Sequence, residues 1–382
     1  MSGASRDEDT KVAERAGVVG IFTLGSRLAG LIRDWVLAHL FGASGVMDAF
    51  WIAHTIPNTL RRLVAEGSLV VTFVPLLVSE QARGGRPAMR RFTAAVLGLL
   101  LPTLLVLAGA GVLLPGPISR AFSLGFDPER AALTSDLTRI MMPYIFFVSL
   151  MAFAGGVLNT CGSFAPAAAA PILLNVAIVA GAWVGHAFFE APVYAVAWGV
   201  LGGGAAQLAL QLPFLAKKGM LVAPIWTPRD PAVRVLARRM LPALFGVGVY
   251  QIALIVTRVI ASYFPAGQVS CFSFASRIQE VALGVFAVSI GVAALPTLSE
   301  HVARGDERAF RSTLASSLRG TNFITIPSLV GLVALGDPIV AALFRHGAFS
   351  AESAALTGDL VRIMAIYLLP AGILRIVVPA FY

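Results

Sequence analysis

Charge is scarce in this chain. Asp, Glu, Lys and Arg make up 13% of the residues against 57% hydrophobic ones, where soluble domains carry about 25% charged residues. So few polar groups cannot cover a water-facing surface, which excludes an ordinary soluble enzyme or binding module. Cysteine is nearly missing. Cys161 and Cys271 lie in or beside apolar segments without metal-ligand spacing, so neither a disulfide framework nor a zinc cluster is expected. The five histidines (His39, His54, His186, His301 and His346) form no HExxH or paired metal motif. The glycine-rich LGGGAAQ lacks the Lys-Ser/Thr ending of a phosphate loop and reads as a site of close helix packing. Ser26 and Ser276 each precede an arginine, with no His–Asp system in view. Covalent chemistry, cofactors and metals are therefore not expected. Period-2 alternation is also missing, which disfavours a barrel.

What fills the sequence is apolar runs of about 20 residues or more, the length that crosses a bilayer as a helix. Ten spans are expected, at approximately 18–40, 46–79, 92–115, 133–158, 165–188, 193–215, 236–262, 269–298, 314–335 and 356–380. The second holds Pro57, Arg61 and Arg62 and is expected to be kinked or broken. The first 17 residues, MSGASRDEDTKVAERAG, are polar, and the apolar segment after them is too long for a cleavable signal, so it reads as a retained first span.

The net charge of +9 is a topology signal rather than a nucleic-acid footprint. Basic residues gather in alternate loops: Arg6, Lys11 and Arg15; Arg83, Arg86, Arg90 and Arg91; Lys217, Lys218, Arg229, Arg234, Arg238 and Arg239; Arg304, Arg308 and Arg311. The intervening loops hold little beyond Arg120, Arg130 and Arg345. This alternation predicts a cytoplasmic amino terminus.

An internal repeat organises the chain. LTSDLTRIMMPY (133–144) returns as LTGDLVRIMAIY (356–367), identical at eight of twelve positions, and VPLLVSEQARGG (74–85) returns as LPTLSEHVARGD (295–306). An even number of expected spans separates the copies, so they share an orientation. The expected fold is all-α and polytopic, with two parallel-repeat lobes and a cavity between them. The boundaries are a cytoplasmic segment 1–17, a six-helix N-lobe 18–216, a cytoplasmic linker 217–235 and a four-helix C-lobe 236–382. By the repeat, the second lobe is incomplete and two or more helices are expected beyond it.

Against this apolar background the charged residues inside spans stand out. The first span carries Arg27, Arg33 and Asp34; the second Asp48, Arg61, Arg62 and Glu66; the seventh Arg258; the eighth Arg277 and Glu280. Each would cost about 2.5–3.5 kcal/mol at a helix centre facing lipid, so they are expected to face one another or water. Asp34 and Glu280 fit a strut role as well as a direct one, and Arg62 and Glu66 fit snorkelling to the cytoplasmic headgroups. Arg27 and Arg277 lie too deep to snorkel. Guanidinium groups bind phosphate through paired hydrogen bonds and keep their proton, so arginines from two lobes suit an anion with more than one phosphate.

The stretch from Ser26 to Leu77, SRLAGLIRDWVLAHLFGASGVMDAFWIAHTIPNTLRRLVAEGSLVVTFVPLL, resembles the amino-terminal signature of the MurJ (MviN) family, bacterial lipid II flippases of the MOP exporter superfamily. The likeness continues through MMPYIFFVSLMAFAGGVLNT, QLPFLAKKGML and SRIQEVALGVFAVSIGVAALPTLSE. It implies a MATE-like fold in the bacterial inner membrane. It also implies an alternating-access carrier that moves lipid-linked peptidoglycan precursor to the periplasmic leaflet, driven by a coupling ion or the membrane potential. Other cell-wall synthesis proteins are partners in such a setting. By motif, the resemblance places substrate-binding arginines at Arg27, Arg33, Arg61 and Arg277 and the acidic DAF residue at Asp48. Asp34, Asp48, Arg62, Glu66 and Glu280 are expected to gate or to support ion pairs. Arg258 departs from the family pattern, which leads one to expect a neutral polar residue there. Two rivals remain open: a carrier of another prenyl-pyrophosphate glycan, and a non-transporting membrane scaffold.

Overall fold

A computed structural model describes residues 2–63 and 69–380. Among the described residues every regular element is a helix: α1 (Ser2–Phe41), α2 (Gly45–Arg61), α3 (Val70–Leu113), α4 (Pro115–Arg120), α5 (Pro128–Met141), α6 (Tyr144–Thr160), α7 (Ala165–Phe188), α8 (Pro192–Lys217), α9 (Pro231–Ser262), α10 (Gln268–Ala303), α11 (Glu307–Phe344), α12 (Ala351–Ala365) and α13 (Leu368–Ala380). Local chemistry sets several of the starts. Asp127, Asp230, Asp306 and Ser350 each accept a hydrogen bond from a backbone N–H in the first turn, and proline follows directly at α5 and α9.

Among the described residues five helices are long and apolar enough to cross a membrane, and up to seven if each bent pair is one span. The expected ten differ from this for physical reasons. α2 has only 17 residues, and the apolar part of α1 carries Arg27, Arg33 and Asp34. Within the second expected span, 46–79, α2 runs to Arg61 and α3 from Val70, and residues 64–68 lie outside the described residues. α3 in turn joins two helices across Gly84 and Gly85, where Gly85 adopts φ +65°. The repeated sequence marks a repeated bend. α5 and α6 meet at 42°, α12 and α13 at 41°, and in each case the break falls near the end of the repeated dodecapeptide.

The chain forms two compact units, Met1–Leu37 with Gly45–Ala266, and Ala38–Ser44 with Gly267–Tyr382. In the first, Phe73 packs on Phe92 and Phe153 with ring centroids 5.6 and 4.7 Å apart, inside a core that includes Leu77, Leu104, Ile145 and Val157. α7 and α8 approach backbone to backbone, since a Cβ on Gly181 would lie 2.5 Å from the Ala195 carbonyl. LGGGAAQ belongs to the same packing: at Gly203 a Cβ would meet Leu174, and at Gly204 Tyr144. α9, which the sequence boundaries place in the second lobe, packs here within the first unit, where Gly125 N–H donates to Ser262 Oγ at 2.9 Å.

The basic linker after α8 is strapped to α3. Ile225 N–H donates to the Ala94 carbonyl at 2.9 Å, Arg90 donates to the Gly219 carbonyl, and Arg91 pairs with Asp230 at 3.9 Å. Gly98 permits this approach, because a Cβ there would overlap the Ile225 backbone. Gly98→Val is therefore expected to lift the linker and to speed tryptic cleavage at Lys218 and Arg229 severalfold, read by limited proteolysis in detergent.

The second unit centres on Phe274, Phe344 and Phe349, all buried and mutually in ring contact. The end of α1 belongs to it. Ala348 N–H donates to the His39 carbonyl at 2.8 Å, and the Nδ1 atoms of His39 and His346 lie 3.2 Å apart.

Candidate functional site

The charges of α1 divide into two environments. Arg33 is 5% exposed and Asp34 1%. The guanidinium donates twice to one carboxylate oxygen, Nε at 2.9 Å and Nη2 at 2.7 Å to Asp34 Oδ1. Its Nη1 donates to Asn175 Oδ1 on α7 at 3.1 Å, and its Cζ lies 5.9 Å from the Trp51 ring centre on α2. Arg33 is thus placed inside the first unit as a paired, hydrogen-bonded cation. Arg27 sits six residues earlier, about 120° around the helix from Arg33. It is half-buried and has no hydrogen-bond or ion-pair partner among the described residues.

α2 carries the second set. Asp48 is completely buried near its start, and its carboxylate faces Arg130 Nη1 at 3.7 Å. Arg130 also pairs with Asp127 and lies over the Phe126 ring at 4.7 Å. The Arg130 backbone N–H, and then its side chain, hold the Asp127 carboxyl below its ordinary value. At the other end of α2, Arg61 and Arg62 are both half-buried. Glu66 lies outside the described residues.

In the second unit Arg277 Nη1 donates to Glu280 Oε2 at 2.7 Å, one turn along α10, with both side chains partly open. The half-buried Arg258 of α9 belongs to the first unit. The serines that precede the two deep arginines are turned back on their own helix: Ser26 donates to the Thr23 carbonyl and Ser276 to the Phe272 carbonyl.

Sequence reasoning missed three participants. In the sequence Arg130 is one sparse loop charge, yet the FDPER stretch places it one turn into a capped helix beside Asp48. Asn175 is a lone amide in the apolar PILLNVAIV, and the need of such a group for partners is the signal that marks it. Arg362, inside the repeated dodecapeptide, bridges Asp359 at 3.0 Å and Asp337 of α11.

Buried, internally paired charges in one place, and in another a guanidinium with no partner among the described residues, suit a membrane protein that handles an anion. The profile of the family described as "Lipid II flippase MurJ" matches residues 37–382. Among curated relatives, the Lipid II flippase MurJ of Burkholderia cenocepacia is 37% identical over 367 residues, covering 94% of this chain and 71% of that protein. The probable lipid II flippase MurJ of Vibrio cholerae is 34% identical over 374 residues, with 96% and 71% covered. Among solved structures, a lipid II flippase MurJ in an inward closed conformation superposes with a TM-score of 0.81 at 27% identity, covering 95% of this chain and 75% of that one. An inward-facing MATE multidrug transporter of the MOP superfamily gives 0.76 at 14% identity, covering 94% and 83%, a likeness of fold.

Proposed function

We propose a mechanism from one premise: the chain belongs to the lipid II flippase MurJ family. It is a multi-pass membrane transporter of the MOP-type fold, and lipid II is its substrate. The reading is that the head group passes from the cytoplasmic to the periplasmic leaflet of the inner membrane, with the amino terminus on the cytoplasmic side. The prenyl tail stays in or beside the bilayer, and access alternates between the two faces. Arg27, Arg61 and Arg277 are the groups proposed to meet the diphosphate, where a guanidinium offers paired N–H donors and a charge that no physiological pH removes. Arg33 acts from behind them, as the buried pair that fixes α1. Asp48, with Arg130, holds the start of α2, and Glu280 keeps Arg277 neutralised until the anion arrives. The drive is a coupling ion or the membrane potential, the latter acting at about 2.3 kcal/mol per charge per 100 mV.

The observation that supports this assignment most is Arg27, a cation in the middle of an apolar helix with no protein partner among the described residues. A charge in that position is stable when an anion or water meets it. The test is a leaflet-resolved flipping assay in proteoliposomes. Lipid II is expected to move, and a prenyl-linked glycan with an unrelated head group to move at least tenfold more slowly. Equal rates would replace the lipid II reading by that of a general prenyl-pyrophosphate carrier. No movement of either would favour the scaffold.

A further inference from the structure

We propose that Asn175 is a positioning residue for transport, one that sets Arg33 and the register of α1 against α7; the proposal rests on the lipid II reading above. Asn175 is 7% exposed and stands in the middle of an apolar helix. Both halves of its amide are used. Oδ1 accepts from Arg33 Nη1 at 3.1 Å, while Nδ2 donates to the Ser26 carbonyl at 3.3 Å and to the Pro171 carbonyl of its own helix at 3.1 Å. The orientation of the amide follows from its partners. A flipped amide would set N–H donors against the guanidinium and an oxygen against two carbonyls.

The α1 partners lie on one face. Ser26, Gly30 and Arg33 are spaced by four and three residues, the spacing that stacks side chains along a helix. Gly30 leaves room at the centre, and a Cβ there would come 3.9 Å from Asn175 Nδ2. One amide therefore grips α1 at two points seven residues apart, the guanidinium of Arg33 and the backbone at Ser26. Arg27 follows Ser26 directly, so the grip on that carbonyl also fixes where the Arg27 side chain leaves the helix. The Asp34–Arg33 pair joins neighbouring positions of one helix and by itself does not set α1 against a neighbour. Asn175 does that, and as a neutral group it leaves the charge balance untouched.

The experiment is a double-variant cycle read as the lipid II dissociation constant in detergent, with melting temperature recorded beside it. Asn175→Leu removes the grip at similar volume. Arg33→Lys keeps the ion pair with Asp34 but lacks the planar fork that reaches Asn175. Asn175→Leu is expected to weaken lipid II binding about tenfold, the scale of one hydrogen bond to a charged group. Arg33→Lys should weaken it by no more than that, and the double variant should bind no more weakly than Asn175→Leu alone. If Asn175→Leu fails to accumulate, Asn175→Ser takes its place in the same cycle. Multiplying effects, or unchanged binding by the Asn175 variant while the unaltered protein binds, would overturn the positioning role alone. Absence of lipid II binding by the unaltered protein would sink the substrate reading and this role with it.

Discussion

Arg27→Ala and Arg277→Ala are each expected to leave the protein folded in membranes and to slow lipid II translocation about 10- to 100-fold. The magnitude is that of one charge-assisted hydrogen-bonding group removed from the anion, about 1.5–3 kcal/mol. Stability should move little. Arg27 has no partner among the described residues to strand, and the Glu280 carboxylate that pairs with Arg277 is exposed, so water can solvate it. The measurement is the initial rate in proteoliposomes, normalised to folded protein recovered by size-exclusion chromatography. A scaffold would give the reverse pattern, with abundance lost and no transport to lose.

Arg33→Ala is expected to behave oppositely. It takes two N–H donors away from the Asp34 carboxylate, which is 1% exposed. Stranding one member of a buried pair costs about 3–5 kcal/mol, large against the net stability of a folded domain. The variant should melt well below the unaltered protein in detergent. Arg33→Leu combined with Asp34→Leu should recover much of the loss, because both charges of the pair are removed and what remains is the smaller cost of Asn175 Oδ1 losing its Arg33 donor. A melting temperature unchanged in Arg33→Ala would show that the pair contributes little, and the distinction between the two arginines of α1 would fall.

That distinction marks the limit of what could be read from residues alone. Insertion cost singles out Arg27, Arg33 and Asp34 together, since any charge in an apolar run carries the same penalty wherever it points. Which of them is buried depends on which face of α1 meets α7, and α1 has no distinct apolar stripe, so hydrophobic periodicity cannot orient it. The same holds for Asp48: its partner Arg130 is 82 positions away and lies in a stretch where charge also serves topology. Architecture was more legible. The repeated dodecapeptides pointed to a parallel repeat, and the structure puts the same bend near the end of each. The gap between the second and third expected spans, 80–91, contains the break at Gly84–Gly85. The grouping of α9 with the first unit was not legible, because a boundary drawn at a basic linker carries no information on which neighbour the next helix will pack against.

The most direct test of the account is to measure translocation of lipid II and of an otherwise identical monophosphate-linked analogue, by the unaltered protein and by Arg27→Ala. If deep guanidinium groups hold the diphosphate, the unaltered protein should prefer lipid II by at least tenfold, and Arg27→Ala should lose most of that preference. An equal preference in both proteins would contradict it.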